Sequence, residues 1–100
     1  MSSAVVVGPS MLQPMQNHVL METQTAQLWC NVSGWPTPSV SWTKNGEVVM
    51  PSSRVSIDGH RLMITQATVM DSGIYQCWAE NIAGHVVLTA TVLVGMSQFF

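Results

Sequence analysis

Apolar and polar residues alternate along this chain in short runs of period two, not with the spacing of a helix face. The even positions are apolar in Ala26-Gln-Leu28-Trp-Cys30-Asn-Val32. The pattern recurs at Val40-Ser-Trp42, Leu62-Met-Ile64, Tyr75-Gln-Cys77-Trp-Ala79 and Leu88-Thr-Ala90-Thr-Val92-Leu-Val94. Turn-forming residues punctuate these runs: Gly34-Trp-Pro36-Thr-Pro38, Asn45-Gly46, Asp58-Gly59, Asp71-Ser-Gly73 and Asn81-Ile-Ala-Gly84. Asn45-Gly46 is the signal of a type I′ hairpin, whose two central residues both need positive φ. No stretch keeps helical periodicity for three turns. Short strands punctuated in this way predict an all-β sandwich.

Strand parity then separates inward from outward positions. Leu28, Cys30 and Val32 share one face, as do Val40 with Trp42, and Tyr75 with Cys77 and Ala79. Trp42 follows Cys30 by twelve positions, and Tyr75 precedes Cys77 by two. A two-sheet Greek-key sandwich with one inter-sheet disulfide needs that spacing. A bridge between Cys30 and Cys77 closes a long loop and, in the chain-entropy model, stabilises the fold by about 4 kcal/mol.

Several motifs together resemble an immunoglobulin domain of the intermediate set, the I-set. They are Pro9 and Pro14 in a split first strand, Leu28-Trp-Cys30, Gly34-x-Pro36-x-Pro38-x-Val40-x-Trp42, Lys44-Asn-Gly46, Arg54, Leu62-x-Ile64, Asp71-Ser-Gly73-x-Tyr75-x-Cys77 and Ala79-x-Asn81-x-Ala83-Gly84. The resemblance implies a domain over residues 9–95, with an N-terminal extension at 1–8 and a C-terminal tail at 96–100. The gap between Trp42 and Leu62 is expected to leave no room for the extra strands of a variable domain. One departure is Thr23, where the family usually turns on glycine. The resemblance also implies structural roles: Trp42 and Leu62 in the core, Tyr75 making a tyrosine corner, and Arg54 paired with Asp71. Its implied function is binding, usually within tandem arrays of adhesion molecules, receptors or matrix proteins. A second branch of the family builds giant muscle proteins of the cytosol.

Composition narrows the function further. One hundred residues make one domain. Charged residues are 8% of the chain, against about 25% in an average soluble domain. Lys44, Arg54 and Arg61 are the only cations and the net charge is −2, which excludes the clustered basic surface that nucleic acid or an anionic membrane requires. The longest apolar stretch, Val86 to Val94, is interrupted by Thr89 and Thr91 and is too short to span a bilayer. The first residues carry no basic segment of the kind that opens a secretion signal. The chain is therefore expected to be a piece of a longer extracellular protein, secreted, matrix-bound or membrane-anchored, without its signal peptide, in which it serves as a protein-binding or spacer module.

Uncharged tryptophans are the candidates for contact. Trp78 follows Cys77 and so points outward, with Thr43, Gln76, Thr89, Val87 and Leu93 expected as neighbours. Either it anchors a protein partner, a second copy included, or it lies flat and covers its own sheet. Trp35, between Gly34 and Pro36, is expected in the turn joining two strands, holding a partner or neighbouring domain, or packing on the prolines. Trp29 points outward on the opposite sheet beside Asn31 and Met63, as a partner candidate or a half-covered strand residue. Asn31-Val-Ser33 is an N-glycosylation sequon, and a sugar there would cover Trp29. His18, His60 and His85 lack metal-ligand spacing, both cysteines are committed to the bridge, and Glu22, Glu47, Asp58, Asp71 and Glu80 are scattered. No catalysis, cofactor or metal is expected.

Overall fold

A computed structural model describes residues 5–96. The first four residues of the expected N-terminal extension, where a leader would begin, and the last four of the expected C-terminal tail lie outside the described residues. Ten strands follow in order: β1 (Val7–Met11), β2 (His18–Met21), β3 (Ala26–Trp29), β4 (Val32–Trp35), β5 (Ser39–Lys44), β6 (Glu47–Val48), β7 (Val55–Asp58), β8 (Arg61–Ile64), β9 (Gly73–Asn81) and β10 (Gly84–Gly95). A single 3-10 turn, Val69–Asp71, precedes β9.

The strands form an immunoglobulin-like sandwich. One sheet has the order β2-β10-β9-β5-β6, the opposite sheet β3-β8-β7, and β1 pairs with β4. β2 runs parallel to β10, and the other pairings are antiparallel. The alternating runs become the inner faces of the two sheets. Leu28, Leu62 and Ile64 meet Trp42, Tyr75, Ala79, Leu88, Ala90 and Val92 in one buried core. Cys30 and Cys77 are bridged there, with Cα atoms 6.2 Å apart. The buried Trp42 indole Nε1 finds no hydrogen-bond acceptor among the described residues.

Two sequence expectations need correction. The run from Ala26 to Val32 is not one strand. It breaks after Trp29, because the chain leaves β8 and takes β1 as its new partner. The interval between Trp42 and Leu62 also holds one extra short strand, β6, since the Asn45-Gly46 turn folds the chain straight back on β5. Asn45 at φ 50° and Gly46 at φ 84° give that turn the backbone of a type I′ hairpin. The first strand is split into β1 and β2, with Pro14 between them and Pro9 within β1.

Gly34 is where close approach demands glycine. Its φ is 153°, and a Cβ there would meet the Pro38 ring at 3.0 Å and the Val7 carbonyl at 3.2 Å. This crowded end also carries a cis Trp35-Pro36 peptide bond. The side chain of Asn81 stitches it together: Nδ2 donates to the carbonyls of Val7 (2.8 Å) and Pro36 (3.0 Å), while Oδ1 accepts from Ala83 N–H (2.9 Å).

Candidate functional site

The outer face of the five-stranded sheet is built by the parity that buries Tyr75, Cys77 and Ala79. Their neighbours Ile74, Gln76, Trp78 and Glu80 face outward on β9. Across β10 stand Thr91, Thr89, Val87 and His85, in register with those four. Ser39, Ser41 and Thr43 face outward on β5, opposite Glu80, Trp78 and Gln76. Beside β10, Val19 on β2 pairs with Leu93.

This face is apolar at both ends and polar in the middle. At one end Trp78, 40% exposed, stacks on His85 with ring centroids 3.9 Å apart and planes 10° from parallel. Val87 stands directly opposite. In the middle Gln76 Nε2 donates to Thr89 Oγ1 at 3.1 Å. At the other end Ile74 and Leu93 are exposed, and Val19 keeps 83% of its surface. Glu80 is the only carboxylate in an outward register here, and no Lys or Arg takes one among the described residues.

The neighbours expected for Trp78 are partly revised. Leu93 belongs to the far end of the face, next to Val19, not beside Trp78. His85 was missed, although the short Asn81–Gly84 connection carries the signal. Counting outward from that turn pairs Glu80 with His85 and Trp78 with Val87, which makes His85 the diagonal neighbour of Trp78.

Trp35 is a strand residue, not a turn residue. It closes β4 in register with Val7 and is 62% exposed. Trp29 is exposed on the opposite sheet, paired with Arg61, whose guanidinium carbon lies 5.6 Å from the ring centroid. Met63 pairs instead with Gln27. No local signal joins Trp29 to Arg61, because β3 and β8 are distant in sequence. The three tryptophans therefore lie on three separate surfaces: the five-stranded sheet, the β1–β4 end and the outside of β3.

A separate charged network surrounds Asp71. Arg54 donates from Nη1 to Asp71 Oδ2 at 2.8 Å and from Nη2 to Oδ1 at 3.2 Å. Thr68 N–H donates to Oδ2 at 2.8 Å, and Lys44 Nζ donates to the Met70 carbonyl. Burial pushes the Asp71 carboxyl up, but the hydrogen bonds from Arg54 and Thr68 and the nearby cations outweigh it, leaving the group below its usual range. Tyr75 OH donates to the Asp71 carbonyl at 2.7 Å, and burial first, then the Asp71 charge, push its pKa up to about 12. These groups are consumed in holding one end of the sandwich. Among the described residues, no group of three or more His, Cys, Asp or Glu side chains could hold a metal ion.

A family model for the immunoglobulin I-set domain matches residues 9–94. The netrin receptor DCC of Homo sapiens is 41% identical over 91 residues, which is 90% of this chain and 6% of the receptor. The neural cell adhesion molecule L1 of Takifugu rubripes is 42% identical over 98 residues, covering 92% of this chain and 8% of that protein. The chain thus spans less than a tenth of the length of either relative. Among solved structures, a chain of the complex between titin M10 and the obscurin-like 1 Ig domain superposes with a TM-score of 0.85 at 33% identity, over 93% of this chain and 99% of that one.

Proposed function

The chain belongs to the immunoglobulin I-set family, and from that membership we propose that it is a non-catalytic protein-binding module of a multidomain extracellular adhesion or receptor protein. Its contact surface is the outer face of the five-stranded sheet, centred on Trp78. The observation that carries this reading is the composition of that face: Trp78, Val87, Ile74, Leu93 and Val19 all exposed, with Glu80 the one charge. A sheet face in water is ordinarily studded with Lys and Glu. A face with a single carboxylate and no outward Lys or Arg among the described residues suits burial against another protein, where a desolvated tryptophan supplies much of the binding energy. The relatives named as a receptor and an adhesion molecule support the same direction.

Self-association of the chain, followed by sedimentation velocity, is the direct test. Trp78→Ala is expected to weaken association by about tenfold or more while leaving the thermal midpoint nearly unchanged. Unchanged association, or an unfolded variant, overturns the assignment of this face.

The likeness to titin domains favours a second reading, a structural module of the muscle cytosol. The bridge between Cys30 and Cys77 supports the extracellular reading, because cytosolic thiols are kept reduced. Thiol titration on protein from its native source is expected to find no free cysteine. Two free thiols would favour the cytosolic module.

A further inference from the structure

Asn31 heads the only Asn-x-Ser/Thr triplet in the chain, and its setting is unusual for a residue flanked by strands. Residues 30 and 31 belong to neither β3 nor β4, because the strand is changing partners there. Cys30 N–H donates to the His60 carbonyl at 2.8 Å on one side, and the Asn31 carbonyl accepts from Leu12 N–H at 2.9 Å on the other. The asparagine therefore sits at a break between two strands, closer to the loop setting usual for a sequon than to a strand interior. Its Nδ2 donates to Gln13 Oε1 at 3.0 Å.

Next to it lies a cleft of about 670 Å³ whose lining includes Gln13, Gln16, Gln27, Trp29, Asn31 and His60. That volume falls within the range of about 300–1,000 Å³ found for small-molecule sites. None of the lining residues is Asp, Glu, Lys or Arg. Side-chain amides offer donors and acceptors together, matching the dual character of sugar hydroxyls. An indole offers a flat apolar surface for the C–H face of a pyranose ring. The nearest charge is the Arg61 guanidinium, which lies at the Trp29 ring beside the cleft and is not among its lining residues.

We propose that Asn31 is N-glycosylated and that the first N-acetylglucosamine of its glycan lies in this cleft against Trp29. The proposal rests on the extracellular part of the reading above. In the transfer, Asn31 Nδ2 forms a bond to C1 of the sugar. The C1–O bond to a lipid-linked pyrophosphate donor breaks, the pyrophosphate leaves with the electron pair, and one amide proton is lost to base. The second amide proton remains on Nδ2 and can still donate to Gln13 Oε1, which holds the amide plane and sets the direction in which the sugar leaves the protein. The glycan then covers Trp29 and the polar cleft, while the outer face bearing Trp78, on the other sheet, stays open.

The test is to secrete the chain from a eukaryotic cell behind a heterologous signal and weigh it before and after enzymatic removal of N-glycans. A mass loss is expected in the native sequence and in neither Asn31→Gln nor Ser33→Ala. The second variant keeps the Asn31–Gln13 hydrogen bond, so its loss of the glycan is not explained by disturbing that contact. A secreted native chain without a mass shift overturns the proposal. The cleft is tested by NMR of the glycosylated chain: the N-acetyl methyl of the first sugar is expected to be shifted upfield by the Trp29 ring current and to return toward its free value in Trp29→Leu. A methyl already at its free value in the native chain overturns the placement. Free Cys30 and Cys77 thiols in native-source protein would instead overturn the compartment on which the proposal rests, a failure distinct from an unmodified secreted chain.

Discussion

One carboxylate, Asp71, joins segments that are far apart in sequence, taking two hydrogen bonds from Arg54 and one from Thr68 N–H while its own backbone carbonyl receives Tyr75. Its pKa is lowered on folding, so its contribution is present above the unfolded value and disappears as pH falls through the folded one. The stability of the domain is therefore expected to decline below about pH 4, and Asp71→Asn should flatten that decline in an acid-denaturation series. Tyr75 works in the opposite sense. Its pKa is raised to about 12, so its contribution is complete below the ordinary tyrosine value of about 10 and is lost as pH rises through the folded one. Tyr75→Phe should remove that alkaline loss, and should cost about 1–3 kcal/mol at neutral pH by leaving a carbonyl unpaired. Chemical denaturation at several pH values checks both ends. The family motif already pointed to the pairing of Arg54 with Asp71. The part played by Asn81 was not legible, because both of its acceptors come from segments distant in the chain.

Among the connections between elements, the turn from β2 to β3 is the one that carries backbone strain on a β-branched residue. Thr23 sits at φ 75° while its N–H donates to the Ala67 carbonyl at 2.9 Å. A left-handed conformation costs a non-glycine residue about 1–2 kcal/mol, partly offset in a replacement by the flexibility glycine brings to the unfolded chain. Thr23→Gly keeps the N–H and should raise the thermal midpoint by a few degrees, since about 1 kcal/mol moves a domain of this size by roughly 4–8 °C. An unchanged midpoint in calorimetry would show that the turn is not strained. The β9–β10 hairpin was legible from alternation and its short turn. The break at Cys30 and Asn31 was not, since alternation continues straight through a strand that merely changes its partner.

For the whole molecule, the bridge between Cys30 and Cys77 spans 47 positions. The chain-entropy model assigns such a loop about 4 kcal/mol, a large part of what holds a domain of this size together. Reduction, or replacement of both cysteines by alanine, is expected to lower the denaturant midpoint substantially and to steepen the slope of unfolding, because the uncrosslinked denatured chain exposes more surface. If the midpoint does not move, the sandwich is held by its core packing alone. Such a result would also make the domain compatible with a reducing compartment.

The period-two runs, the turn residues and the Cys30–Trp42–Cys77 frame carried the fold class, the bridge and the direction in which Trp29 and Trp78 point. They could do so because alternation is a local property: each side chain's face follows from its neighbours along one strand. What lies beside an outward residue depends on which strand comes next in the sheet, and that is a long-range choice. The stack of Trp78 on His85 and the distance of Leu93 from it emerged from the register of β9 on β10. Arg61 on Trp29, and the neutral cleft beside Asn31, required β3 to meet β8 and β4 to meet β1. The frame named the residues that face outward, and the assembled sheets set their surroundings.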